Sequence, residues 1–296
     1  MHDDTRRLRR MLTKGRAKIL FVTVSQRAGR WWISVSTEAA DLHASHHHRP
    51  RTPSDGGGWV GVDRGLSALL VAATADGTEL ARVDDPPTPL AAGMRRQRRL
   101  AKSLSRAKKG SRNCRDAAAR LGRHHHRVVN IRRHFLHQVT NKLVQTHDRL
   151  VLEDLHVAGM LRNPRLARAI GDAEWATFAR LLRYKQAWRS GAVATADRWY
   201  PSSKRCSACG AVNTALTLAD RVFACGCGFR TDRDLNAAVD LAVWAATQHD
   251  FPRSPDPKAG GRVTNVRRRE GADRHPAGAG ETSPIDVGTD AHSISV

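Results

Sequence analysis

The chain has 296 residues, with 50 Lys and Arg against 28 Asp and Glu, a formal net charge of +22 and 40% hydrophobic residues. That length and apolar fraction support one or two domains with a real core and exclude a small disulfide-held scaffold, while the charge surplus points to a polyanionic partner, nucleic acid first. No apolar run approaches the roughly 20 residues of a membrane span, and the opening MHDDTRRLRR lacks the apolar segment of a secretory signal, so a cytoplasmic, nucleoid-associated protein with no membrane partner is expected.

Residues 1–16 are basic and irregular. Residues 17–37 alternate about Ala28-Gly29 as a hairpin does, and 41–58, rich in His, Pro, Ser and Gly, read as a linker, so 1–58 forms a basic N-terminal segment. A strand follows at 59–63, then a second at 67–74 joined to a third at 78–83 through the turn signal Asp76-Gly77. Two basic helices are expected at about 90–109 and 112–147, the second with an apolar stripe of Leu121, Val128, Ile131, Phe135, Val139 and Leu143. Between Met94 and His134 there are 15 Lys and Arg and one acid, Asp116. An ordinary solvated face mixes both signs, so this stretch is read as a nucleic-acid contact, carried by Arg95, Arg96, Arg98, Arg99, Lys102, Lys108 and Lys109. A strand at 149–153 ends on Glu153. Asn163-Pro164 marks a break, an amphipathic helix covers 172–189, a strand covers 192–197 and a helix closes at 234–247. From Phe251 the sequence loses periodicity and reads as a disordered tail, 251–296.

Four of the five cysteines lie between 206 and 227. Cys206-x-x-Cys209 followed after 15 residues by Cys225-Gly226-Cys227 has the spacing of two knuckles that place four thiolates round one zinc ion, a structural site with no open position, in a reducing compartment. Cys114 stands alone on a basic helix as a spare thiol. The runs His46-His47-His48 and His124-His125-His126 follow no ligand spacing within one face and read as solvated or nucleic-acid-facing.

Three carboxylates share a placement. Asp63 and Glu153 end strands and Asp234 opens a helix, each beside apolar residues. Phosphodiester hydrolysis through Mg²⁺ (or Mn²⁺) needs hard oxygen ligands drawn from several such positions.

The segments Gly61-Val62-Asp63-Arg64-Gly65, Glu153-Asp154-Leu155, Tyr200-Pro201-Ser202-Ser203-Lys204-Arg205-Cys206-Ser207 with Cys209-Gly210, and Asp232-Arg233-Asp234-Leu235-Asn236-Ala237-Ala238 together resemble the motifs of the TnpB/OrfB family of insertion-sequence proteins, relatives of type V CRISPR effectors. The resemblance implies an α/β fold: an RNase H-like, RuvC-type nuclease domain over 59–200 and 231–250, with a long helical insertion at 90–147 and an inserted zinc ribbon at 201–230. It implies RNA-guided cleavage of DNA, with guide RNA and DNA as partners and Asp63, Glu153 and Asp234 as the Mg²⁺-holding catalytic set. Ser202, Ser203 and Lys204, beside the first cysteine pair, join the expected nucleic-acid contacts. Three departures stand out: Arg64 where relatives carry a small or apolar residue, the C-x-C second pair, and only 62 residues before Asp63, as in an N-terminally short version. A nucleic-acid-binding regulator without cleavage and a strand-transfer transposase are the competing readings.

Overall fold

A computed structural model of the chain describes residues 5–27, 29–40, 43–49, 58–217, 219–248 and 293–295. Its larger unit, built from residues within 24–32 and 41–252, holds a five-stranded sheet in the order β5-β4-β3-β6-β7. β3 (Val60–Asp63), β4 (Leu70–Thr74) and β5 (Glu79–Val83) run antiparallel in sequence, whereas β6 (Arg149–Glu153) lies parallel to β3 and β7 (Ala192–Ala196) parallel to β6. Asp76-Gly77 makes the expected tight turn, with Gly77 at φ 93°. β4 starts three residues later than the sequence suggests because Gly65 N–H bonds to Ala68 O at 3.1 Å and turns the chain first.

The sheet is covered on both faces, and strand alternation decides which residues go where. Val60, Val62, Leu70, Leu150 and Leu152 share a core with Leu136, Leu143 and Val144 of α3 (Arg112–Thr146) and Phe178 and Leu182 of α6 (Trp175–Trp188). On the other face, Val71, Ala73, Val151, Ala194 and Ala196 meet Ala238, Leu241 and Ala245 of α7 (Arg233–Gln248). α2 (Pro89–Ser105) starts with proline at its first turn and is capped from outside: the Asp172 carboxylate accepts from Leu90 N at 2.8 Å and Ala91 N at 2.9 Å.

The helix expected at 172–189 is found as α6, which starts three residues later. α4 (Val157–Met160) and α5 (Ala167–Ala173) precede α6, and Glu174 between α5 and α6 takes a left-handed conformation at φ 45°. Arg132 of α3 holds that break in place: it donates to Gly171 O and pairs with Glu174 at 2.8 Å. The buried stripe of α3 also differs from the sequence reading. Ile131 is exposed, while Ala117, His124, Leu136, Thr140 and Val144 are buried. His124 is therefore no surface residue; its ring lies against Gly93 of α2.

The smaller unit, within 1–23, 33–40 and 253–296, contains α1 (Arg6–Thr13), where an irregular stretch was expected, and lengths of β1 (Ala17–Arg27) and β2 (Arg30–Ala39). These two neighbouring strands are the expected hairpin. The disordered reading of 251–296 falls outside the described residues except for β10 (Ser293–Ser295), which pairs antiparallel with β2. Of the linker, 43–49 and Gly58 are described; the chain makes one 3-10 turn at Ala44–His46, and His48 N bonds to Arg189 O at 2.8 Å. No helix among the described residues is long and apolar enough to cross a membrane.

Candidate active site

Two strands and one helix bring the three singled-out carboxylates to one place. In the parallel pair, Gly61 lies opposite Val151 and Val62 opposite Leu152. Side chains alternate, so Asp63 and Glu153, each two residues beyond a residue that faces α7, end on that same face at the same end of neighbouring strands. Gly61 makes the third partner possible. A Cβ at this position would sit 1.8 Å from Ala238 O and 2.8 Å from Ala242 N, so only glycine lets α7 lie directly on β3. Asp234 is one turn before Ala238 on the same side of that helix, and it stands 4.0 Å from where a Gly65 Cβ would be.

The electrostatics agree with this convergence. Asp63, 9% exposed, has its carboxyl pushed well above the usual range, first by burial and then by the Glu153 and Asp234 charges. Asp234, also 9% exposed, is raised by burial and by neighbouring Asp232. Asp232 itself is committed elsewhere. It accepts from Leu235 N at 2.9 Å as the cap of α7 and from Arg82 at 3.0 Å, and these bonds, against the effect of its burial, leave its pKa lowered. Of the two, Asp234 is the one whose charge acts on Asp63.

Two neighbours of Glu153 have roles that the sequence did not show. Arg64 is buried and spans two elements, donating to the main-chain carbonyls of Glu153 and of Trp175, the latter at 3.2 Å. Burial draws its pKa down to about 10, against the pull of Glu153 and Asp63. Ser202, an expected nucleic-acid contact, is only 1% exposed and donates its hydroxyl to Glu153 Oε1. A side chain so enclosed cannot reach a phosphate, so that assignment is corrected. Of its companions, Ser203 is half-buried and Lys204 exposed.

The four cysteines also converge. Their sulfurs all lie within 4.8 Å of one another, with Cys206 to Cys227 at 3.9 Å and Cys209 to Cys225 at 3.6 Å. Four thiolates about 2.3 Å from a zinc ion would lie roughly 3.8 Å apart at the corners of a tetrahedron. The short C-x-C pair reaches its place through a tight turn between β8 (Val222–Ala224) and β9 (Arg230–Asp232). There Cys225 N bonds to Phe229 O at 2.9 Å and Gly228 N to Cys225 O at 3.0 Å, with Gly228 at φ 90°. This module is tied to α7. Asn236, fully buried, donates to Arg205 O at 2.7 Å and accepts from Ser207 N at 3.0 Å, and Arg205 pairs with fully buried Asp240 at 2.9 Å.

Arg95, Arg96, Arg98, Arg99 and Lys102 project from α2 and Lys108 and Lys109 from the turn after it; all seven are exposed. Arg132, by contrast, belongs to the fold through Glu174.

The family model OrfB_IS605, described as "Probable transposase", matches residues 21–164, and "Cas12f1-like, TNB domain" matches residues 175–241. A Mycobacterium tuberculosis H37Rv protein named "Putative RNA-guided DNA endonuclease" is 38% identical over 305 residues, covering 97% of this chain and 63% of the relative. A Streptomyces pristinaespiralis protein of the same name is 39% identical over 225 residues, covering 74% of this chain and 51% of its own length. The chain thus spans about half to two thirds of the length of these relatives. Among solved structures, a Cas12f1–sgRNA–target DNA complex aligns with TM-score 0.47 and 14% identity over 75% of this chain and 55% of that one.

Proposed function

We propose that the chain, which matches the OrfB_IS605 model over residues 21–164 and is 38% identical to a relative named as an RNA-guided DNA endonuclease, is a member of that transposon-associated family and carries the nuclease part of an RNA-guided DNA endonuclease. The observation that bears most weight is the meeting of Asp63, Glu153 and Asp234 where β3, β6 and α7 come together. The mixed sheet, antiparallel through β5-β4-β3 and parallel through β3-β6-β7, supports an RNase H-like, RuvC-type domain. In this reading 59–200 and 231–250 are its two parts, 90–147 its helical insertion and 201–230 a zinc ribbon.

The residues fit Mg²⁺ or Mn²⁺. All three donors are hard oxygens, and holding buried Asp63 and Asp234 near partly buried Glu153 is costly, a cost that a divalent cation would offset. When bound, such ions supply an activated water and stabilise the leaving oxygen of a phosphodiester. The chain's own work is positional. The β3–β6 register sets Asp63 beside Glu153, Gly61 admits the helix that carries Asp234, and Asp232 is kept out of the cluster by Arg82 and the helix cap. A regulator that binds without cutting would leave the charges of Glu153 and Asp234 set against buried Asp63 without a role. The exposed cations of α2 lie ready for phosphates of guide RNA or DNA, and the four cysteines would hold zinc in a closed structural site.

The test is Mg²⁺-dependent cleavage of DNA by the chain together with RNA transcribed from its own element. Asp63→Ala and Asp234→Ala should abolish cleavage while nucleic-acid binding survives, because each removes a metal ligand and no phosphate contact. Cleavage that persists in Asp63→Ala refutes the assignment.

A further inference from the structure

Ser202 stands out among the residues that the proposed chemistry leaves without a task. It is buried, yet its hydroxyl is spent on Glu153 Oε1. It lies four residues before Cys206, on the segment that enters the first knuckle. That segment is firmly held: Ser202 N bonds to Tyr200 O at 3.0 Å, and Lys204 N and Arg205 N both bond to Pro201 O at 2.8 and 2.9 Å. Just beyond, Cys206 N bonds to Ala211 O at 2.8 Å within the knuckle. Glu153 is thus gripped from two sides. Arg64 holds its main-chain carbonyl, and Ser202 holds one oxygen of its carboxylate.

We infer that Ser202 is a positioning residue for Glu153, and that through it the cysteine module sets where this carboxylate stands in the acidic cluster. The inference rests on the metal-binding reading of that cluster. A glutamate side chain has three rotatable bonds, and one hydroxyl donor on Oε1 removes most of that freedom before any cation arrives. The same segment is anchored by the knuckle on one side, and Asn236 and Arg205 bind the knuckle to α7, which carries Asp234. Glu153, placed by β6, and Asp234, placed by α7 on β3, are thus each also tied to the cysteine module, while Asp63 takes its place from β3 alone.

The experiment is Mn²⁺ binding to the whole chain, read by electron paramagnetic resonance in the absence of nucleic acid. The wild type, Ser202→Ala, Asp63→Ala and, as a control on the same segment, the exposed Trp199→Ala are compared, with melting temperature and zinc content recorded for each. Hydrogen-bond partners of metal ligands are commonly worth 10- to 100-fold in metal affinity, so Ser202→Ala should bind Mn²⁺ about 10-fold or more weakly with its fold and zinc content kept, and Trp199→Ala should match the wild type. Cys209→Ser, introduced into both backgrounds, should weaken Mn²⁺ binding in the wild type and add little in Ser202→Ala, because both changes act through one linkage. Equal Mn²⁺ affinity in the wild type and Ser202→Ala overturns the positioning role, and fully additive effects of the two substitutions overturn the link to the cysteines. Failure of the underlying reading looks different: a wild type that binds no Mn²⁺, or an Asp63→Ala variant that binds as well as the wild type, removes the metal cluster itself and this inference with it.

Discussion

Gly61→Ala should damage both stability and the acidic cluster, and the size of the effect follows from one contact. The added methyl carbon would lie 1.8 Å from Ala238 O. Both nearest groups are helix backbone, so no rotamer change relieves the clash. The gap must open to about 3.4 Å for ordinary contact, a retreat of α7 by about 1.6 Å. Overpacking a well-filled core costs about 1–3 kcal/mol, and a clash with main chain belongs at the top of that range. At about 3 kcal/mol the melting temperature should fall by roughly 6–12 °C for a domain of this size. Asp234 rides on α7 and would move by a similar distance from Asp63; a misplacement near 1 Å is worth on the order of 100-fold in rate, so Mg²⁺-dependent cleavage should drop at least that far. Gly171→Ala is the control. Its methyl would meet only Leu90 Cδ2 at 3.4 Å, within α5, and it should be neutral or stabilising by up to about 1 kcal/mol. Thermal melts of the metal-free proteins decide the matter: a Gly61→Ala protein that melts within about 2 °C of wild type would show that α7 does not rest on β3 as described.

Three further outcomes are expected. The purified, reduced protein should contain about one zinc per chain, and Cys209→Ser should lose most of it by elemental analysis; a zinc-free folded wild type refutes the ribbon. Replacing Arg95, Arg96, Arg98 and Arg99 together by Ala should flatten the dependence of log K on log salt for duplex DNA by about 3–4, since each phosphate contact contributes about 0.9 to the slope; an unchanged slope places the contact elsewhere. Lys185 gives a pH test. It is buried, donating to His137 O at 3.0 Å and Thr140 Oγ1 at 2.7 Å, and burial lowers its pKa from 10.5 to about 8. Between these values the unfolded chain binds the proton and the native state does not, so the penalty of the buried charge is complete below pH 8 and fades as pH rises to 10.5. Lys185→Met should therefore be most favourable relative to wild type near pH 7 and lose up to roughly 3 kcal/mol of that advantage by pH 10.5, read from denaturant midpoints; a pH-independent difference rejects the assignment.

The parts of the site that rest on local pattern were legible in the sequence. The alternation of Val60-Gly61-Val62-Asp63 and Leu150-Val151-Leu152-Glu153 marks which residues share a face, and the cysteine spacing announces four converging sulfurs. What was missed depends on partners far along the chain. Ser202 looks like a surface serine until Glu153, 49 residues earlier, is seen to accept its proton. The break at Glu174 is invisible without Arg132, and the stripe of α3 shifts because its first half packs on α2, through His124 and Gly93, and its second half on the sheet and α6. In α1, a run of arginines hides the apolar spacing of Leu8, Met11 and Leu12, of which Leu8 is buried.

The seating of α7 on β3 also has a consequence in time. β3 is the central strand and begins at Val60, but the helix that covers one of its faces ends at Gln248. A ribosome adding about 5–20 residues per second needs roughly 10–40 s to travel from one to the other. For the second half of that interval, once Glu153 has been added, Val71, Ala73 and Val151 have no cover on their α7 side, and the acidic pair Asp63 and Glu153 stands without its third member. Pairings between residues so far apart in sequence are also the slow ones to form. The nascent chain thus passes through a long stage with an open apolar sheet face, and only the arrival of its last core helix both closes the hydrophobic core and assembles the carboxylates.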